Sequence, residues 1–265
     1  QGERTVNRML LAAFAACLPL LAQTSSLQGV VTDGHSAAIA DAIVSLINTE
    51  TSAQRKSLAS STGAYAFAQV PREYFHYFYP EKRATPGESY ESEPKPWALG
   101  YGSALSDYLG QAYMTQVCQP KPGETTLEIG TGSGFQSSLL SRIVKDAYSI
   151  EIIEPLGKAV GKIFAPLGYD NVHTKVGDGY YGWPEVKDGF DIIIVTCSAT
   201  FVPQPLLAQL KPGGRMIIPI GQPMKRGQVL FIYTKDAEGK VHSKRDVGVF
   251  FIPMTGAIAK ASPNG

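Results

Sequence analysis

The chain has 265 residues, of which 44% are hydrophobic and 18% charged, and its formal net charge is +1. That is enough apolar material for one large or two small self-supporting domains, and the totals announce neither a polybasic nucleic-acid binder nor a polyacidic tail. Three cysteines with no CxxC pair exclude a disulfide framework, and four scattered histidines lack zinc-ligand spacing, so no metal is expected. Arg4 and Arg8 precede the apolar run Met9–Ala22, which ends in a small residue before Gln23. A basic stretch, a short apolar run and a small residue read as a secretory signal peptide over about residues 1–23. The run is too short for a comfortable membrane span. Export to the periplasm or medium is expected, with no stable membrane insertion once the signal is removed. If the segment does not act as a signal, the expectation is the cytoplasm.

Residues 27–71 carry short β-type runs, Gly29–Gly34, Ala42–Ile47 and Ala64–Phe67, punctuated by Asp33-Gly34 and Thr62-Gly63 as turns. The order of GVVTD, an alternating strand, an NTET turn and a G-x-Y-x-F-x-x-VP stretch resembles the start of a carboxypeptidase regulatory-like β-sandwich. A partial β-sandwich segment over 24–71 is expected. From 72 to about 121 the chain is rich in aromatic residues, Pro and Gly. Tyr74, Phe75, Tyr77, Phe78, Tyr79 and Trp97 are too apolar to leave in water, so the stretch should wrap the next domain, with a helix only near Tyr108–Val117.

Strands and helices alternate from Thr125 onward. Strands are expected at Thr126–Ile129, Ala147–Glu151, Val172–Val176, Phe190–Thr196 and Arg215–Pro219. Helices are expected at Phe135–Val144, Pro155–Leu167 and Pro203–Leu210, the last ended by Lys211-Pro-Gly-Gly214. Strand cores such as Ile192–Val195 lack alternation, so they should be buried on both faces of a parallel sheet. Val229–Thr234 and Val241–Phe251 follow with no helix between them, which predicts an antiparallel hairpin at the sheet's end. The fold class is therefore α/β, a Rossmann-like class I methyltransferase architecture over 72–265.

Leu127–Gly134 runs from a strand through glycines at 130, 132 and 134 into a helix. Glycines let the chain turn sharply and let a ligand approach the backbone. A dinucleotide fingerprint would need its third glycine where Phe135 stands. Glu128 would repel a pyrophosphate but suits a sulfonium and an ammonium group. Glu151 closes the second strand, where an acid accepts from ribose hydroxyls, and Asp178-Gly179 follows the third, where an Asp can meet an adenine amine. The expected cofactor contacts are Glu128, Gly130, Thr131, Gly132, Ser133, Gly134, Glu151, Asp178 and Gly179, and the cofactor they suit is S-adenosyl-L-methionine.

Several stretches occur in one order: Glu128–Gly134, Tyr148–Glu151, Leu167–Val172, Val176–Tyr180, Gly182–Pro184, Phe190–Thr196, Leu210–Arg215 and Ile218–Gly221. With Val70-Pro-Arg-Glu73 and Phe251–Gly256 at the flanks, residues 70–256 resemble the protein-L-isoaspartate O-methyltransferase family. The resemblance implies transfer of a methyl group to the carboxylate of L-isoaspartyl residues in damaged proteins. The partner would be an isoaspartate-bearing protein or peptide, not nucleic acid. The family's substrate loop corresponds to Pro96–Asp107; Gly100, Gly102 and Ser106 are shared, while Ser103, Ala104 and Asp107 replace Gln, Thr and Gln. Ser106 is the candidate for holding the acceptor carboxylate. Two alternatives stay open: a methyltransferase for another carboxylate or hydroxyl, and a secreted, non-catalytic binding module on a degenerate methyltransferase fold.

Overall fold

A computed structural model describes residues 43–47, 54–58, 70, 72–75, 77–78, 82–83, 96–222, 224–225 and 227–261. The expected signal segment and the runs Gly29–Gly34 and Ala64–Phe67 lie outside the described residues. The run at Ala42–Ile47 does form a strand, β1 (Ile43–Ile47), paired antiparallel with β2 (Gln54–Leu58). Two short hairpins follow, β3 (Tyr77–Phe78) with β4 (Lys82–Arg83), and β5 (Trp97–Gly100) with β6 (Ser103–Leu105). The second was not expected as strands. Its turn residues Tyr101 and Gly102 both have positive φ, 54° and 75°, as a two-residue hairpin loop of the primed type requires.

The body of the protein is a seven-stranded sheet. In chain order its strands are β7 (Thr125–Ile129), β8 (Asp146–Glu151), β9 (Val172–Val176), β10 (Phe190–Val195), β11 (Leu210–Ile220), β12 (Gln228–Lys235) and β13 (Val241–Val249). In space they run β13-β12-β11-β10-β7-β8-β9. The five strands from β11 to β9 are parallel, and β12 and β13 add an antiparallel hairpin. Ile192–Val195 are completely buried, as the absence of alternation requires. Of the helices, α1 (Tyr108–Cys118) matches its expected place and α2 (Phe135–Ser141) ends early. α3 (Glu154–Val160) stops well short of Leu167, with only a 3-10 turn at Ala165–Leu167 beyond it. Gly161 and Pro166 explain this: one weakens a helix interior and the other removes a donor. α4 (Gln204–Gln209) is followed directly by strand. Lys211–Gly214 is thus not loop after a helix: Leu210 already pairs with Phe190, and the register shifts before Ile192 meets Arg215.

The chain moves outward from β7 to β9 on one side and from β10 to β13 on the other. The strand order therefore reverses between β7 and β10, and a crevice opens outside their carboxyl ends.

Candidate active site

A cavity of about 370 Å³ occupies that crevice. Its wall is made by the loop after β7, the end of β8, the start of the loop after β10, the β5–β6 hairpin and the segment Phe251–Thr255. Ser106, Glu128, Gly130, Thr131, Gly132, Ser133, Glu151 and Gly179 all line it. The structure thus brings together eight of the ten residues singled out in the sequence.

The loop after β7 is held closely. Gly130 has φ 100°, and a Cβ there would lie 2.7 Å from the Thr196 hydroxyl oxygen. That hydroxyl lies 2.9 Å from the Ile129 carbonyl and 2.8 Å from the Gly130 carbonyl and shares its one hydrogen between them, which ties the end of β10 to the loop. Glu151 is buried and its carboxylate accepts from the backbone N–H of Gly132 (2.8 Å) and of Ile153 (2.9 Å). Burial raises its pKa, against the pull of those N–H groups. Glu128 is deeper. Burial pushes its carboxyl up to about 8, although the hydroxyls of Ser137 and Ser149 both donate to it. Among the described residues that line the cavity, none is Lys, Arg or His. Two acids beside a glycine loop, one in β7 and one at the end of β8, with no described basic side chain in the lining, fit a ligand that carries positive charge and hydroxyls.

Two expected cofactor contacts are placed otherwise. Gly134 caps α2, and a Cβ there would strike Val160 at 2.6 Å and Phe164 at 2.7 Å; it packs α2 against the stretch Val160–Phe164 and does not line the cavity. The Asp178 side chain is turned to the backbone, accepting from the N–H of Tyr180 (2.9 Å) and of Ala257 (2.6 Å). It anchors the segment that carries Phe251–Thr255 and does not itself face the cavity. Asp107 would repel an anionic acceptor if it faced the site. It caps α1 instead, with its carboxylate accepting from Gly110 N–H at 2.8 Å.

Several residues of the site lie in stretches that carry the resemblance but have no role assigned from the sequence. Thr196 stands at a strand's carboxyl end, the same signal that singled out Glu151, and could have been found. Arg72, 1% exposed, donates to the Ser106 carbonyl at 2.6 Å and to the Gln111 side chain. Its guanidinium lies 4.6 Å from the Phe135 ring centre. The stretch Phe251–Thr255 is clamped by the Gln228 amide, which both donates to and accepts from the Phe251 backbone, and by Ser198, whose backbone bonds Ile252 and Met254 at 2.8 Å. Nothing local in the sequence announces these long-range contacts.

The model of the family "Protein-L-isoaspartate(D-aspartate) O-methyltransferase (PCMT)" matches residues 45–259. The chain belongs to this family. It is 48% identical over 168 residues to protein-L-isoaspartate O-methyltransferase 1 of Nitrosospira multiformis, covering 63% of this chain and 70% of that one. It is 44% identical over 189 residues to protein-L-isoaspartate O-methyltransferase 2 of Syntrophobacter fumaroxidans, covering 71% and 73%. A solved protein-L-isoaspartate O-methyltransferase superposes with a TM-score of 0.65 at 30% identity, over 73% of this chain; the match spans 61% of the solved chain. A Plasmodium falciparum structure described as a complex with S-adenosyl-L-homocysteine shares the fold, with a TM-score of 0.53 and 22% identity.

Proposed function

We propose that this protein transfers a methyl group from S-adenosyl-L-methionine to the carboxylate of L-isoaspartyl residues in damaged proteins, a repair reaction. One observation carries the reading: a single cavity joins the acidic glycine loop to the hairpin that bears Ser106. S-adenosyl-L-methionine, when bound, supplies a methyl group activated by a sulfonium. The residues for holding it are Glu128, Gly130–Ser133, Glu151 and Gly179. Ser106 holds the acceptor carboxylate through its hydroxyl. A carboxylate is already ionised at neutral pH, so the site needs alignment and dryness rather than a general base. The lining residues agree with this. Burial pushes the Cys197 thiol up to about 12, so it does not compete as a nucleophile.

The test is labelled methyl transfer to a peptide bearing isoaspartate and to its matched aspartyl peptide. The extra backbone methylene of isoaspartate moves the acceptor carboxylate, and small misplacements cost large factors in rate. Transfer to the isoaspartyl peptide with little to its partner is the expected result. Cofactor binding without transfer to either would leave the altered residues Ser103, Ala104 and Asp107 serving another carboxylate. Export of the protein is part of the same proposal and rests on residues 4–22 alone. Mass spectrometry of the N-terminus should find mature protein beginning near Gln23 outside the cytoplasm; an intact N-terminus on cytoplasmic protein refutes it.

A further inference from the structure

We infer that the side-chain amide of Gln111 is a second donor to the acceptor carboxylate, beside the Ser106 hydroxyl; this rests on the methyl-transfer reading above. The argument is one of hydrogen-bond polarity. Gln111 and Gln136 both line the cavity, and an amide can present either its oxygen or its NH₂. Here the choice is forced. Arg72 can only donate, and it donates to Gln111 Oε1. Nε2 of Gln111, with its two hydrogens, is left for the cavity. The Thr115 hydroxyl spends its one hydrogen on the Gln111 carbonyl at 2.7 Å, so it can only accept from Gln136 Nε2 at 2.8 Å. Gln136 is thereby left to present its oxygen.

The two amides are thus sorted by charge. Gln136 offers an acceptor to the cationic ligand, and Gln111 offers a donor to the anionic one. The sorting matters because the lining holds two acids, Glu128 and Glu151, and no described basic side chain. An entering carboxylate has little else to attract it. Arg72 stands one layer behind, and the same guanidinium holds the Ser106 carbonyl. In buried surroundings its charge polarises the amide it bonds. Arg72 is the positioning residue, and Gln111 makes the contact.

Steady-state kinetics on an isoaspartyl peptide tests this, with S-adenosyl-L-homocysteine binding measured alongside. Gln111→Leu should raise the peptide KM roughly 10- to 100-fold, the scale of one hydrogen bond to a charged group. The dissociation constant for S-adenosyl-L-homocysteine should stay within about twofold on the same scale. Gln111→Glu keeps an oxygen for Arg72 and so preserves packing if the leucine variant fails to fold. It should lose more, because it sets a carboxylate oxygen against the acceptor. Arg72→Lys should raise the peptide KM in the wild type and raise it less in the Gln111→Leu background; equal effects would deny Arg72 its positioning role. If the wild type does not methylate the isoaspartyl peptide, the methyl-transfer reading is wrong. If it does, and both Gln111 variants keep the wild-type KM, Gln111 has no such role.

Discussion

Glu128 lines the cavity with its carboxyl buried among side chains that other elements bring to it, and the hydroxyls of Ser137 and Ser149 both donate to it. The consequence for stability has a definite sign. An unfolded glutamate ionises near its ordinary value, whereas the folded one keeps its proton up to about 8. Between the two the folded state binds more protons, so stability is fully present at low pH and falls as pH rises through that window, by ~1.4 kcal/mol per pH unit. Glu128→Gln keeps an acceptor for both serines and removes the titration. Its melting temperature should therefore decline less than the wild type's between about pH 5 and about pH 8. Parallel curves would mean that the carboxyl ionises normally. Asp178, also at a strand's carboxyl end, has oxygens that accept from the backbone N–H groups of Tyr180 and Ala257, contacts that no local pattern announces.

Strands were more legible than helices among the elements, for a physical reason. A buried parallel strand needs a run of apolar residues, and Phe190–Val195 shows it. A helix boundary depends on single residues such as Gly161 and Pro166, which an apolar pattern runs straight through. The β5–β6 hairpin was legible as the substrate loop but not as a hairpin, because Tyr101 in a left-handed conformation is not a turn signal that sequence alone supplies. Ser103 and Ala104 lie on β6 and line the cavity. If β6 reads the acceptor, Ser103→Gln with Ala104→Thr should raise transfer to the isoaspartyl peptide several-fold, on the order of 1 kcal/mol of added hydrogen bonding. No gain, with the fold intact by circular dichroism, would deny β6 that task.

The alternation of strands and helices followed by a hairpin without a helix was enough to specify the architecture of the seven-stranded sheet, since few topologies accommodate a parallel sheet that ends antiparallel. What the chain order concealed was how the site is closed. The cavity's lining comes from β7, β8 and β10 and from the hairpin ahead of them, but also from Phe251–Thr255, held down by Gln228, Ser198 and Asp178. That dependence sets a clock on the protein's birth. During synthesis the glycine loop, Glu128 and Glu151 leave the ribosome a hundred residues or more before the segment that walls them in. The nascent chain can pair its parallel strands while the crevice still stands open to water, and it becomes able to retain a ligand only when residues 252–257 have emerged. A chain stopped at Phe251 mimics that moment. It should keep the sheet's circular dichroism while binding S-adenosyl-L-homocysteine at least ~30-fold more weakly, the equivalent of ~2 kcal/mol. Undiminished binding would mean that the crevice is finished as soon as its strands are, and that synthesis of the last segment gates nothing.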